Sequence, residues 1–463
     1  MSQPIAPHPQ PRLFSVTWPI FAEQFLSMLG GAVLVGRVSQ ISDDTAAAFA
    51  LANQIFLAFM LLFRIVSIGA SVVVTQYLGA ADRAGAERIA RAALAGCTWT
   101  GVVCGAVVML GAQPLLRLMQ LPPDLDSIAM PYLIALGLGL LFDALNLALS
   151  AVARAYAYTR SSLLISVMVL VVHLGLGLLL MAGVGPLPAM GVMGLGVALI
   201  LSRIVGLATG LYLWRAVLQI RPRLADLWHL RRRELGEMLH IGLPAAAENI
   251  AYRLSFMIIL SFVAAMGPAA LATHSYTFSI MSFILLAGLT IGFGTEIIVG
   301  HRIGAGRLHE ANQQVHAAMR WGLGITLGVA LLAALAGKPL LRLFTQDEQI
   351  VEAGAQLLWL CLLLEPGRTF NLVVINGLRA TGDARFPVLA GVVSMFVVAV
   401  GLAWWLGVHL GWGLPGVWLA FAADEWIRGL SMAARWHWRG WLGHAHATRR
   451  RVRGPWGVRG RQS

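Results

Sequence analysis

Seven carboxylates lie inside or at the edge of long apolar stretches of this chain: Glu23, Asp143, Glu248, Glu296, Glu365, Asp424 and Glu425. A carboxylate in a lipid-like setting is costly, so it is paired, neutralised or used. Burial disfavours its charge and a nearby arginine favours it. A group balanced between the two can exchange a proton, or hold a cation when ionised. That is the chemistry of ion coupling, not of bond making. Glu248 lies about ten residues, or roughly 15 Å of helix rise, into its stretch. That is the depth at which transporters bind, and Glu23 has the same depth. Arg253 follows Glu248 by five positions, about 140° round a helix, so it does not neutralise Glu248 within one helix. Glu365 has Arg368 at i+3 and Asp424 has Arg428 at i+4, spacings that place each pair on one face. Glu425 points away from the second pair, and Glu296 lies near one end of its stretch. Asn146 and Asn371 are amides that can bond across helices; with Asp424 they are candidates for a substrate cavity.

Elements that could position these groups follow from the composition. Of 463 residues, 58% are hydrophobic and 12% charged, and mean hydropathy is +0.75. A soluble domain is about a quarter charged, so the chain reads as an all-α polytopic membrane protein. Spans of about 20 apolar residues fit at 13–38, 46–75, 89–112, 129–152, 161–184 and 190–214. Six more fit at 238–264, 269–299, 313–337, 350–375, 386–409 and 414–437. Val184-Gly185-Pro186-Leu187-Pro188 reads as a tight turn between two of them. The net charge of +13 does not mark a nucleic-acid partner. Its arginines fall in gaps between spans and in the tail, where they anchor against an anionic leaflet. Counting them places the linker and both termini in the cytoplasm, with the bilayer as the chain's partner. Cys97, Cys104 and Cys361 lack metal spacing and read as small buried hydrophobes.

The chain also repeats itself. Pro19 and Glu23 return as Pro244 and Glu248, an offset of 244 − 19 = 225. At the same offset Asn146 meets Asn371, Arg154 meets Arg379, Arg203 meets Arg428, and Pro114-Leu115-Leu116-Arg117 meets Pro339-Leu340-Leu341-Arg342. Two halves of six spans each insert the same way up, related by an axis along the membrane normal. The expected plan is a tail at 1–12, a six-helix lobe at 13–214 and a basic linker at 215–237. A second six-helix lobe at 238–437 and a basic tail at 438–463 follow. The whole makes twelve transmembrane helices in two pseudo-symmetric six-helix bundles.

With the repeat in hand, the sequence resembles the multidrug and toxic compound extrusion (MATE) family from Leu13 to about Trp438. The proline-opened first and seventh spans carry the resemblance. So do Gln76-Tyr77-Leu78-Gly79-Ala80, Val299-Gly300-His301-Arg302-Ile303-Gly304-Ala305-Gly306 and Asn376-Gly377-Leu378-Arg379-Ala380-Thr381-Gly382-Asp383. The resemblance implies an antiporter in a bacterial inner membrane, without a cofactor. It would expel organic, often cationic or amphiphilic, small molecules against an inward flow of protons or sodium ions, and a monomer is expected. One departure is that many relatives carry an aspartate in mid-first span, whereas Met28 to Ile41 contains no acid. Coupling is therefore expected to rest on the second lobe, on Glu248 with Glu365 as its partner and Glu23 as the weaker twin. Asp143 maps onto Arg368, so the lobes differ in charge and one can handle the ion while the other shapes the cavity.

Other readings are a flippase for a lipid-linked or amphiphilic substrate, or a transporter of the major facilitator type. The tract Gly79-Ala80-Ala81-Asp82-Arg83-Ala84-Gly85 is similar to the loop after that superfamily's second span. A membrane enzyme is disfavoured. The adjacent pair Asp43-Asp44 lies in a short external loop, and no nucleophile motif, metal constellation or phosphate-cradling loop accompanies it.

Overall fold

The computed structural model describes residues 12–183 and 189–453. The N-terminal residues 1–11, the turn expected at Val184–Pro188 and residues 454–463 lie outside the described residues.

Twelve long helices occur among the described residues. The first six are α1 (Leu13–Val38), α2 (Asp43–Gly79), α3 (Arg83–Leu110), α4 (Asp126–Ala155), α5 (Thr159–Ala182) and α6 (Val192–Leu213). The second six are α7 (Arg232–Ala265), α8 (Pro268–Ala305), α9 (Leu308–Leu335), α10 (Glu348–Thr381), α11 (Arg385–His409) and α12 (Gly413–His437). Eleven are long and apolar enough to cross a membrane. The other, α12, has 25 residues but holds Asp424, Glu425 and Arg428 in its middle, which lowers its hydropathy. Local chemistry sets the ends. Ser42 caps α2 by accepting from the Thr45 amide, Asp82 caps α3 through Gly85, and Asp347 caps α10 through Gln349 and Ile350. Gly306 and Gly382 stop α8 and α10 at φ of 79° and 95°. In α11 the backbone widens into π-turns at Ser394–Val400 and Ala403–His409.

Helices α1–α6 pack as one bundle and α7–α12 as the other, with the three cysteines buried. The lobes meet where α1 lies on α8 and α2 lies on α7 and α8. Contact is closest toward the linker end, where backbones touch. A Cβ on Gly79 would collide with the His301 carbonyl, and a Cβ on its repeat twin Gly304 with the Gln76 carbonyl. Gln76 and His301 are themselves twins. Gln76 Nε2 donates to the Ala380 carbonyl at 2.8 Å, and His301 Nε2 donates to the Ala155 carbonyl at 2.8 Å. Ala155 and Ala380 are twins again, so the seal is reciprocal.

The described part of the basic tail packs against the lobes. Leu442–Arg453 forms a helix, α13, with Ala445, Thr448 and Val452 buried. Thr448 donates to the Thr381 carbonyl at 3.0 Å in the second lobe. Arg451 donates to the Gln76 side chain in the first lobe and lies 3.8 Å from Glu237 of α7. The helix thus straps both lobes across the linker end.

Candidate functional site

Glu23 and Glu248 are buried, and each meets the arginine that the repeat would assign it. Arg154 donates to Glu23 at 3.0 Å, and Ser162 donates to the other carboxylate oxygen at 2.8 Å. Arg379 donates to Glu248 at 2.6 Å. Two sequence expectations change here. Glu248 is held by Arg379, and it does not share a site with Glu365. Nor do the two glutamates sit at mid-depth, because Arg154 and Arg379 belong to the last turns of α4 and α10. The physical reason is helix length. With 34 residues, α7 is about 51 Å long and overshoots the bilayer at its linker end. Glu248 therefore lies roughly 25 Å from the far end, in the linker-side half.

Mid-depth belongs to a larger network in the second lobe. Arg368 bonds Glu365 at 2.8 Å and Glu425 at 3.1 Å. Arg428 lies 3.0 Å from Glu425 and 2.7 Å from Asp424. Asn371 donates to Glu425 at 3.0 Å, and Ser394, where α11 widens, donates to Asp424 at 2.6 Å. Glu425 is thus the centre of the network, not a bystander. Its i+3 spacing to Arg428 was the available signal. Three carboxylates share two guanidiniums, so the fully ionised network carries one uncompensated negative charge. Every carboxylate oxygen in it has a donor or a guanidinium partner except the second oxygen of Glu365. In the first lobe the twins of Glu365, Asp424 and Glu425 are Leu140, Leu199 and Ile200. There Asp143 pairs one-to-one with Arg203, and Asn146 donates to the Arg203 carbonyl at 2.8 Å. Asn146, Asn371 and Asp424 are 8%, 3% and 4% exposed. They brace the lobe interiors and do not line an open cavity wall.

Between the lobes, Ser71 donates to Glu296 at 3.1 Å. Two turns outward on the same face of α2 stands Arg64, partly buried. Arg253 stands on α7, eleven positions beyond Gly242, whose Cα packs on the Ile65 carbonyl of α2. Along this stripe of α7 Ala246 is 4% exposed, Arg253 is exposed and Met257 is 61% exposed. Phe21, Phe25, Leu29 and Val33 form an exposed stripe on α1, and Phe25 packs edge-on to Phe283 of α8 at 6.1 Å. The lobes therefore diverge away from the linker end and leave a cleft with Ser71 and Glu296 at its floor.

The family model MatE matches residues 19–179 and again 244–405, so each half carries one copy. The chain is 36% identical over 431 residues to the Bacillus subtilis transporter YisQ, covering 93% of this chain and 94% of that one. It is 24% identical to a probable multidrug resistance protein NorM of Thermotoga maritima, covering 90% of each. Among solved structures, a MATE protein in its bent conformation superposes with TM-score 0.85 at 18% identity, over 94% of this chain and 96% of that one. An outward-facing MATE transporter matches at TM-score 0.82 and 19% identity, over 95% and 96%. The twelve-helix, two-lobe plan is the fold of that group, and a facilitator-type or enzymatic reading falls away. With two family repeats and a third of its residues shared with a full-length transporter, the chain belongs to the MATE family of efflux transporters.

Proposed function

We propose that this chain is a proton-coupled exporter of small amphiphilic molecules in a bacterial inner membrane, with the linker and both termini in the cytoplasm. The charge imbalance of the second-lobe network carries the reading. One proton on Glu365, at its donor-free oxygen, neutralises the network; loss of that proton restores a buried negative charge. Such a charge is costly in a low-dielectric interior, so the two protonation states favour different packings of α10, α11 and α12. The π-turn at Ser394 sits where such repacking would act, because wide turns give a helix a place to shift. The first-lobe pair, Asp143 with Arg203, is balanced and holds shape. Alternating access opens the cleft first on the linker side and then on the far side.

The test is transport in proteoliposomes under an imposed proton gradient and, separately, an imposed sodium gradient. Proton-driven movement that is lost in Glu365→Gln, with substrate binding kept, supports the reading. Movement driven by sodium alone overturns it.

A further inference from the structure

We propose that the interlobe cleft is a binding site for an amphiphilic organic anion, its acidic head held by Arg64 and Arg253 and its apolar body laid against Phe21, Phe25 and Phe283. This rests on the exporter reading and names the cargo class.

Placement comes first. Arg64 precedes Ser71 by seven positions, two turns of α2, so both face the lobe axis. Arg253 follows Gly242 by eleven positions, about 20° off a whole number of turns, so it faces α2 and the cleft. The same helix carries Tyr252, Ser255 and Phe256 toward the second-lobe interior, where Phe256 packs on Phe278 and Phe421. Arg253 stands about 160° round the helix from Ser255 and about 60° from Phe256, at the edge of that packed face.

Pairing comes next. Arg154, Arg203, Arg368, Arg379 and Arg428 each hold a carboxylate inside the protein. Arg64 and Arg253 hold none among the described residues. Arg64 also lies within electrostatic reach of Arg154, Arg253 and Arg379. A partly buried guanidinium among other guanidiniums is an anion site waiting for its ligand, and its planar fork suits carboxylate, sulfonate or phosphate. The nearby acids are engaged. Glu23 and Glu248 are tied to arginines, and Glu296 lies at the floor bonded to Ser71. Among the described residues Glu296 is the cleft carboxylate without an arginine partner, but it is 5% exposed and lies at the floor, not on the wall beside Arg64 and Arg253, so an anionic cargo suits that wall better than a cationic one.

The repeat sharpens the class. Arg64 has Leu289 as its twin and Arg253 has Met28. Conversely, Phe21, Phe25 and Phe283 have Ala246, Ile250 and Ala58. A duplicated scaffold thus presents cations on its α2 and α7 side and aromatic rings on its α1 and α8 side. Each side lacks what the other has. A molecule with an acidic head and an aromatic or alkyl body fits that division, and a cation of the same shape does not.

The experiment uses the whole chain, purified and in proteoliposomes, with anilinonaphthalene sulfonate as the anionic probe and ethidium as the cationic one. Fluorescence titration should show the sulfonate binding and being displaced by dodecanoate but not by dodecyltrimethylammonium, which has the same tail and the opposite head. Arg64→Gln and Arg253→Gln should each weaken sulfonate binding about tenfold, and Arg253→Lys should recover part of it. Ethidium binding should be unchanged or stronger. Because Arg253 is exposed, its variants keep the test usable if Arg64→Gln fails to fold. Sulfonate binding indifferent to both arginines, or displacement by the two dodecyl compounds alike, overturns the site. If ethidium moves on the proton gradient and the sulfonate does not, the cargo assignment fails and the exporter stands. If neither moves yet sulfonate binding needs both arginines, the site stands and the exporter reading is what fails.

Discussion

Ser71 and Glu296 occupy the same position in the two copies of the repeat, and they hydrogen-bond each other at 3.1 Å. Equivalent positions touch only on the axis that relates the halves. One turn nearer the linker end the twins Thr75 and Gly300 also meet, and a Cβ built on Gly300 would lie 2.8 Å from that of Thr75. The axis therefore runs through the seam of α2 and α8, and opening the linker end must separate both twin pairs.

That separation can be blocked. Disulfides need Cβ atoms about 3.5–4.5 Å apart, a small relaxation from the geometry at this seam. Thr75→Cys with Gly300→Cys should cross-link under oxidation and arrest transport, and a reductant should restore it. Full transport by the oxidised, mass-verified cross-linked protein would show that the seam stays closed through the cycle.

The twin ion pairs make a stability prediction. Glu248→Ala leaves Arg379 buried without its partner, a loss of roughly 3 kcal/mol. Removing both charges in Glu248→Ala with Arg379→Ala should cost less than the single change. Thermal unfolding in detergent measures both. A double variant less stable than the single would mean that the pair matters through its packing, not its charge.

Unequal lobes predict unequal roles. Asp143→Asn with Arg203→Gln removes a balanced pair, so proton-driven efflux should persist at a reduced rate with the same pH dependence. Glu365→Gln should lose the dependence on the gradient altogether. Equal loss in both would place the coupling outside the second-lobe network.

The strap across the linker end should be measurable too. Ending the chain after Gly440 removes the contacts of Thr448 and Arg451. Maleimide labelling of Ala80→Cys, one turn beyond Gln76, from the linker side should then speed up several-fold, as expected when a cover of a few hydrogen bonds is lost. An unchanged rate would mean that the glycine-mediated seal suffices without it.

The two-lobe plan could be read from sequence because Pro19, Glu23, Asn146 and Arg154 are costly in a membrane helix, and their joint return at one offset is not composition. The pairing could have been read as well. Glu23 and Arg154 recur together as Glu248 and Arg379, which is a contact written twice in one chain. It was hidden because arginines at span ends pass for leaflet anchors, although their long side chains reach back a full turn. Depth was misjudged because hydropathy does not show how far α7 runs past the bilayer. Arg64 gave no signal in one dimension: it is a lone charge without a twin, and only the face it shares with Ser71 gives it meaning.

The strap has a consequence for biogenesis. Every spanning helix precedes Leu442–Arg453 in the chain. During synthesis the common fastener therefore emerges last, directly after the final spanning helix, and it can dock only once the two bundles have met on their glycine seam. Its anchors, Gln76 and Thr381, lie 305 residues apart in sequence and become neighbours only when both bundles are placed correctly. Docking of this helix is thus a late checkpoint, one that a misassembled pair of bundles has no way to pass.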